Sequence, residues 1–78
     1  MPTVAVHIGT HLRAAREHAR LSQKAAAEHL GMTAASLSGW ENGAGIPTLR
    51  RAFALADLYG VGLDELLGYP VPQPPEGD

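Results

Sequence analysis

The feature that most constrains the fold is a very short break between two helix-forming runs. The run QKAAAEHL consists of strong helix formers, and Ser22 before it offers an N-cap. Only Gly31 and Met32 separate this run from Thr33, the next N-cap residue. Gly31 suits the positive φ that ends a helix, and the small Ala27 allows two helices to approach closely. The sequence therefore predicts two helices joined by a sharp turn.

Apolar residues at helical spacing predict three further helices. The first extends from about Val6 to Arg20, and the short run LDELLGY follows the YGVG break. Between them, a helix capped by Thr48 is predicted to carry an apolar stripe formed by Leu49, Ala52, Phe53, Ala56 and Tyr59. We expect an all-α domain of five short helices over residues 6–69. Residues 1–5 are predicted to be a flexible segment, and residues 70–78 a disordered, proline-rich acidic tail.

Composition excludes several classes of site. The chain has no cysteine, which rules out disulfides, thiolate zinc sites and cysteine nucleophiles. His7 and His11 are spaced i, i+4, but no third ligand completes a metal site, so we expect neither metal nor cofactor. Ser36 and Ser38 lack a partner base, so we expect no enzyme activity. Without a signal sequence or an apolar run of about 20 residues, we expect a cytoplasmic protein with no membrane contact.

Charge is distributed unevenly along the chain. The formal net charge is −2. Up to and including Arg51 there are six basic residues against three acidic ones, and beyond it there are five acidic residues and no basic ones. A molecule of this kind can present one positive face despite its negative total.

Two long segments of the chain are LSQKAAAEHLGMTAASLSGWENG and IPTLRRAFALADLYGVGLDELL. Together they resemble the lambda-repressor-like, Cro-type (xenobiotic-response-element) helix-turn-helix family. The resemblance covers roughly Ile8 to Leu67 and depends most on LSQ, WENG, the proline before the fourth helix and GVGLDELL. It implies a compact five-helix DNA-binding domain in which helices 2 and 3 form the helix-turn-helix. It also implies a transcriptional regulator that binds double-stranded operator DNA as a homodimer.

The same resemblance implies roles for individual residues. Contacts with the DNA backbone are implied for Ser22, Gln23, Lys24, Asn42, Thr48 and Arg50. Entry into the major groove is implied for Thr33, Ala34, Ala35, Ser36 and Ser38. Arg51 is a further source of positive charge for this surface, and Gln23 either contacts the DNA backbone or braces the third helix. Arg16 and Glu41 match positions that form an internal ion pair in relatives.

The sequence departs from the family pattern where bases would be read. Positions 34 and 35 often carry long polar side chains, and both are alanine here. The loop after ENG often begins with a basic residue, and Ala44 stands there instead. Because few polar side chains remain on the third helix, DNA shape should contribute much of the specificity. Asn42 fits two interpretations, a DNA contact or a simple helix terminator. Trp40 is predicted to pack in the core beside Leu37.

Two questions stay open at this stage. A dimer interface is predicted on the C-terminal residues Leu63, Leu66, Leu67 and Tyr69, with packing of Leu66 or Leu67 in the protomer core as the alternative. For function, the first hypothesis is a small stand-alone repressor that binds a palindromic operator as a dimer. The alternative is a protein-interaction module or antitoxin-type protein that keeps the fold, binds DNA weakly and pairs with a toxin or regulator.

Overall fold

The structure is a computed structural model that describes residues 3–70. Those residues form five helices and no strand: α1 (Val4–His18), α2 (Gln23–Leu30), α3 (Ala34–Glu41), α4 (Leu49–Tyr59) and α5 (Leu63–Leu67). The predicted all-α, five-helix fold is confirmed. Apart from residue 70, the tail predicted to be disordered lies outside the described residues, as do residues 1 and 2. In the described range, no helix is long and apolar enough to cross a membrane.

Four of the five helices begin at a side-chain cap. The hydroxyls of Thr3, Ser22, Thr33 and Thr48 each accept a hydrogen bond from the backbone N–H three residues further on. Each bond satisfies one of the amides that a helix leaves free at its N-terminus. The caps predicted at Ser22, Thr33 and Thr48 are confirmed. The cap at Thr3 starts α1 at Val4, two residues before the predicted start, so residues 4 and 5 belong to the helix.

The end of α1 differs from the prediction for a backbone reason. The helix ends at His18, and Arg20 adopts a φ of 62°, in the left-handed region. The Arg20 N–H donates to the carbonyl of Glu17 at 3.0 Å, and the Leu21 N–H donates to the carbonyl of Arg16 at 3.2 Å. This is a Schellman ending with arginine where glycine is usual. The left-handed conformation costs a residue with a Cβ roughly 1–2 kcal/mol.

The core lies where α1, α3, α4 and α5 meet. Each of these helices contributes one fully buried leucine, Leu12, Leu37, Leu55 and Leu66, and α2 contributes the fully buried Ala26. Burial of each leucine contributes roughly 1.5–3 kcal/mol. Helix α1 packs against α3 and α5, and α2 packs against α3 and α4. As a result, α3 is held from two sides while its remaining surface faces solvent.

Gly9 allows α1 to lie directly against the end of α3. A Cβ at this position would lie 2.7 Å from the carbonyl oxygen of Glu41, closer than real Cβ contacts occur. Gly9 is buried at this crossing. The glycine therefore sets how closely the two helices approach, a role that sequence reasoning missed because a glycine inside a helical pattern usually indicates only weaker helix formation.

The packing face of α4 differs from the predicted apolar stripe. Leu49 and Phe53 are 65% and 57% exposed, so the prediction that they belong to the buried stripe is wrong. The buried residues of α4 are Ala52, Leu55, Ala56 and Tyr59. Each residue turns the helix by about 100°. When Leu55 faces the core, Phe53 therefore points away from the core. Two large apolar side chains are therefore left in solvent.

The C-terminal residues predicted to form a dimer interface have different environments. Leu66 is fully buried in the protomer core, so its assignment to an interface is wrong and the alternative is correct. Leu63 and Leu67 are half-buried and pack against the same core. Tyr69 is 40% exposed, with its ring centroid 4.3 Å from that of His7. The last helix therefore buries most of its apolar surface within its own protomer.

Candidate nucleic-acid interface

The turn between α2 and α3 has the geometry that its residues predicted. Gly31 has φ 65° and ψ 35°, the left-handed conformation. The Gly31 N–H donates to Glu28 at 3.2 Å, and the Met32 N–H donates to Ala27 at 3.0 Å, which satisfies carbonyls at the end of α2. Ala27 is 2% exposed. A small residue is therefore required where the two helices of this bihelical unit approach.

Helix α3 has one buried face and one bare face. Leu37 and Glu41 are buried, and Trp40 is half-buried against the core rather than fully enclosed. At about 100° per residue, the face opposite Leu37 and Glu41 is centred on Ala35 and Gly39. That face is flanked by Ser36, Ser38 and Asn42. Among the predicted groove residues, Ala34 is half-buried and lies nearest the packed side.

The polar side chains of α3 are already hydrogen-bonded to one another. Thr33 Oγ1 accepts from the Ser36 backbone N–H at 3.1 Å and lies 2.9 Å from Ser36 Oγ. Ser38 Oγ accepts from Asn42 Nδ2 at 3.2 Å. A hydroxyl has one donor and two acceptor sites, so each retains capacity for an outside partner. These bonds orient the few polar groups before any ligand arrives.

Asn42 is the C-cap of α3, but it does not supply the left-handed turn. Its φ is −93°, whereas Gly43 has φ 81°. The Asn42 side chain is exposed and bonds only to Ser38 among the described residues. Glycine therefore performs the termination, and the asparagine amide is left on the surface beside the bare face of α3.

A buried polar network fixes the end of α3. Arg16 Nε donates to Glu41 Oε2 at 2.7 Å, and Arg16 Nη2 donates to Glu41 Oε1 at 3.1 Å. Arg16 Nη1 donates to the Leu21 carbonyl at 2.7 Å, and Gln23 Nε2 donates to Glu41 Oε1 at 2.9 Å. Hydrogen bonds to Glu41 raise the pKa of Arg16 above its ordinary value. Arg16 and Glu41 thus form the expected internal pair, and Gln23 braces α3 from the start of α2.

The remaining residues of the implied backbone set are exposed and lie in two groups. Gln23 touches Glu41, so Ser22 and Lys24 lie near the end of α3 that carries Asn42. Thr48 and Arg50 belong to the start of α4, which lies near the opposite end of α2 because Arg51 Nη1 donates to the Leu30 carbonyl. An eight-residue helix is roughly 12 Å long. The two groups therefore lie near opposite ends of α2.

Arg51 has a structural role rather than the surface role proposed for it. Its guanidinium is half-buried and satisfies a carbonyl at the end of α2. Lys24 and Arg50, in contrast, form no ion pair with any residue between positions 3 and 70. Lys24 and Arg50 thus lie in separate groups, one at each end of α2.

Two further residues near the network were missed from sequence. Arg13 is half-exposed, and its Nε lies 3.9 Å from Glu41 Oε1 and 4.0 Å from Glu17 Oε2. The hydroxyl of Tyr59 is buried and has no hydrogen-bond partner among the described residues. Burial raises the pKa of Tyr59 to about 12, with Glu41 adding to the increase and Arg16 opposing it. The i, i+4 spacing of Arg13 and Glu17 could have indicated that contact. No spacing along the chain relates Arg13 to Glu41 or indicates the burial of the Tyr59 hydroxyl.

Two of the four histidines, His7 and His11, have hydrogen-bond partners in the protein. His7 Nε2 lies 2.8 Å from the Gly68 carbonyl, and His11 Nδ1 lies 3.0 Å from the His7 carbonyl. The contact of His7 ties α1 to the end of α5, and the contact of His11 lies within α1. Among residues 3–70 there is no group of three or more side chains able to hold a metal ion.

One comparison with known proteins found a relationship. A family model described as a helix-turn-helix domain matches residues 7–67, which include most of α1 and all of α2 to α5. No curated protein and no solved structure matches the chain.

Proposed function

We propose that this chain, which belongs to the helix-turn-helix domain family, is a sequence-specific DNA-binding transcriptional regulator. The observation that carries the proposal is the bare face of α3, held at a defined angle by the Arg16–Glu41–Gln23 network. A helix that enters the major groove must be both exposed and rigidly supported. On this proposal α3 is the recognition helix.

Gly39 is consistent with close approach of α3 to DNA. A Cβ there would have only the Ala44 methyl within reach, at 3.9 Å, so the fold itself has room for a side chain. Glycine inside a helix costs roughly 0.5–1 kcal/mol relative to alanine. With Ala35 beside it, Gly39 gives a flat surface that fits against a groove, while the hydroxyls of Ser36 and Ser38 are available for base edges.

The two groups of exposed residues fit the two borders of that groove. They lie near opposite ends of α2, and the length of that helix is comparable to the roughly 12 Å width of the major groove. We assign Lys24, Asn42 and the first amides of α2 to one phosphate strand, and Arg50 with the first amides of α4 to the other. Ser22 and Thr48 cap these helices and keep the amides oriented.

The proposal extends to a small repressor that binds a palindromic operator as a homodimer. A single short recognition helix with few polar tips binds weakly, and two copies about 34 Å apart would meet successive major grooves on one side of the duplex. Because the α3 side chains offer few hydrogen bonds, most of the affinity should come from phosphate contacts.

The test compares variants on the preferred operator, obtained by selection from random DNA, and on an unrelated duplex. Lys24→Ala and Arg50→Ala should each weaken binding to both duplexes and reduce the salt dependence by about one counterion. Ala35→Gln should change which sequence is preferred, because glutamine can read adenine. Glu65→Gln, an exposed change on α5, is the control, because it changes the net charge by the same amount in the opposite direction without touching the proposed surface. If net charge alone decided affinity, this variant would bind both duplexes more tightly than the parent.

A second candidate function is that of a protein-interaction module, such as an antitoxin-type protein. The exposure of Leu49 and Phe53 favours it, since large apolar side chains in solvent often mark protein contacts. If Lys24→Ala and Arg50→Ala both left affinity and salt dependence unchanged, the DNA interface drawn here would be wrong and this candidate would take first place.

A further inference from the structure

The outward face of α4 carries an unusual combination of exposed residues. Arg50, Phe53 and Asp57 are exposed, Ala54 is half-buried, and all four lie on the side opposite the buried face of the helix. Phe53 is 57% exposed, and Leu49 at the edge of the same face is 65% exposed. We call the set Leu49, Arg50, Phe53, Ala54 and Asp57 the α4 face.

The α4 face is complementary to itself. Arg50 and Asp57 stand symmetrically about the midpoint between Phe53 and Ala54. If a second copy of α4 packs antiparallel across a two-fold axis at that midpoint, Arg50 of each copy lies opposite Asp57 of the other. The same register places Phe53 against Ala54 of the other copy, and Leu49 against the half-buried Leu58. Two ion pairs would then flank an apolar centre.

The α4 face carries one basic and one acidic side chain, Arg50 and Asp57, both exposed. Neither Arg50 nor Asp57 forms an ion pair with another residue in the part of the chain that the structure describes. The adjacent Arg51 is engaged by the Leu30 carbonyl. The α4 face therefore offers one charge of each sign, unpaired among residues 3–70, at the spacing that an antiparallel partner requires.

We infer that the α4 face is the self-association surface and that its partner is a second copy of this chain. This locates the homodimer of the proposed function on α4, whereas the sequence had pointed to the C-terminal residues. On that C-terminal surface Leu66 is buried, and Tyr69 already packs against His7, so less apolar surface is free there. A contact made mainly by one helix from each copy falls below the standard interface size, so the dimer is weak and depends on concentration.

Arg50 can serve both this contact and a phosphate. A guanidinium has five N–H donors, and a pair with a carboxylate leaves some of them unused. The inference rests on the proposed function only for the biological role of the dimer, because self-association is measured without DNA.

The experiment is a charge exchange followed by analytical ultracentrifugation from about 1 μM to about 1 mM, a range that covers weak association. Asp57→Arg and Arg50→Asp each place like charges opposite one another, so each should raise the dimer Kd by at least about tenfold. The double variant R50D/D57R restores opposite charges and should return the Kd to within about threefold of the parent. An equimolar mixture of the two single variants should form a heterodimer by the same pairing. Glu28→Arg, on the exposed side of α2, should leave the Kd unchanged.

Several results would overturn the inference. A monomer throughout the concentration range would do so, as would a dimer that both single variants leave intact. Failure of the double variant to recover association, while circular dichroism shows it folded, would also exclude the antiparallel register. If Tyr69→Ser abolished the dimer and Phe53→Ser did not, the interface would lie on the C-terminal surface and not on the α4 face. A separate measurement of DNA affinity distinguishes the DNA-binding proposal from the dimer proposal. Lys24 lies outside the α4 face, so a loss of DNA affinity in Lys24→Ala tests the recognition surface whatever the oligomeric state.

Discussion

Replacing Glu41 by alanine should reduce the free energy of unfolding by about 3 kcal/mol, the lower part of the range for breaking a buried ion pair. The Glu41 carboxylate accepts hydrogen bonds from Arg16 Nε and Nη2 and from Gln23 Nε2. In Glu41→Ala, the Arg16 guanidinium keeps only its bond to the Leu21 carbonyl, at 2.7 Å. Arg16 is 8% exposed, so its charge would remain largely desolvated without its nearest counterion.

This loss is large for a chain of 78 residues. Small domains lie near the low end of the usual stability range of about 5–15 kcal/mol. For a domain of this size, 3 kcal/mol corresponds to a decrease in Tm of roughly 10–25 °C. Helix α3 should be affected most, because the pair connects its last residue to α1 and α2.

Urea unfolding followed by circular dichroism and by the fluorescence of the half-buried Trp40 measures the effect. Glu41→Gln keeps an oxygen acceptor and should lose less than Glu41→Ala. The double variant Arg16→Met/Glu41→Leu removes both charges and should recover most of the loss, since buried ion pairs can often be replaced by apolar residues. A loss below about 1 kcal/mol in Glu41→Ala, or a double variant less stable than the single one, would refute this reasoning.

Three further predictions follow from single side chains. Tyr59→Phe should leave stability unchanged or raise it by up to about 1–3 kcal/mol, because the buried hydroxyl has no partner among the described residues. The folded-state pKa of Tyr59, about 12, lies above the ordinary value of 10.0. Protonated Tyr59 therefore favours the folded state fully below pH 10, and this contribution to the free energy of unfolding is lost as the pH rises through 12. Tyr59→Phe should lack this decrease in stability at alkaline pH. An unfolding free energy that falls with pH in the variant as it does in the parent would contradict the prediction. Arg20→Gly should raise the free energy of unfolding by about 1 kcal/mol because Arg20 has φ 62°, and a lower Tm would count against the assigned backbone conformation. Gly39→Ala should stabilise α3 by about 0.5–1 kcal/mol yet weaken DNA binding; unchanged affinity in a binding titration would mean that α3 does not approach DNA closely at this position.

Local structure could be predicted from sequence because its causes are local. The caps at Ser22, Thr33 and Thr48 each join a hydroxyl to an N–H three residues away. The left-handed turn at Gly31 likewise depends on the residue itself and on carbonyls within α2. The start of α1 was placed two residues late because the cap at Thr3 precedes the clear apolar period.

The candidate site was predictable only in part, and mostly through family resemblance. The pair between Arg16 and Glu41 joins residues 25 positions apart, which no local pattern relates, and the resemblance alone brought them together. Arg51 matched no such pattern, and its contact with Leu30 at a separation of 21 residues became visible only in the structure. The same holds for Gly9, whose role depends on the end of α3 lying against it.

The amino-acid sequence by itself determined where the helices lie and how α2 turns into α3. It also determined that positions 34–38 of α3, apart from Leu37, carry only methyl and hydroxyl groups. Tertiary structure decided which apolar residues are enclosed. On an isolated α4, Phe53 and Leu55 are equally apolar, and only docking against α1, α2 and α5 buries Leu55 and leaves Phe53 in solvent. The same packing enclosed Leu66 and exposed the α4 face. Burial depends on the angles at which helices cross, and those angles are set by contacts between residues far apart in the chain.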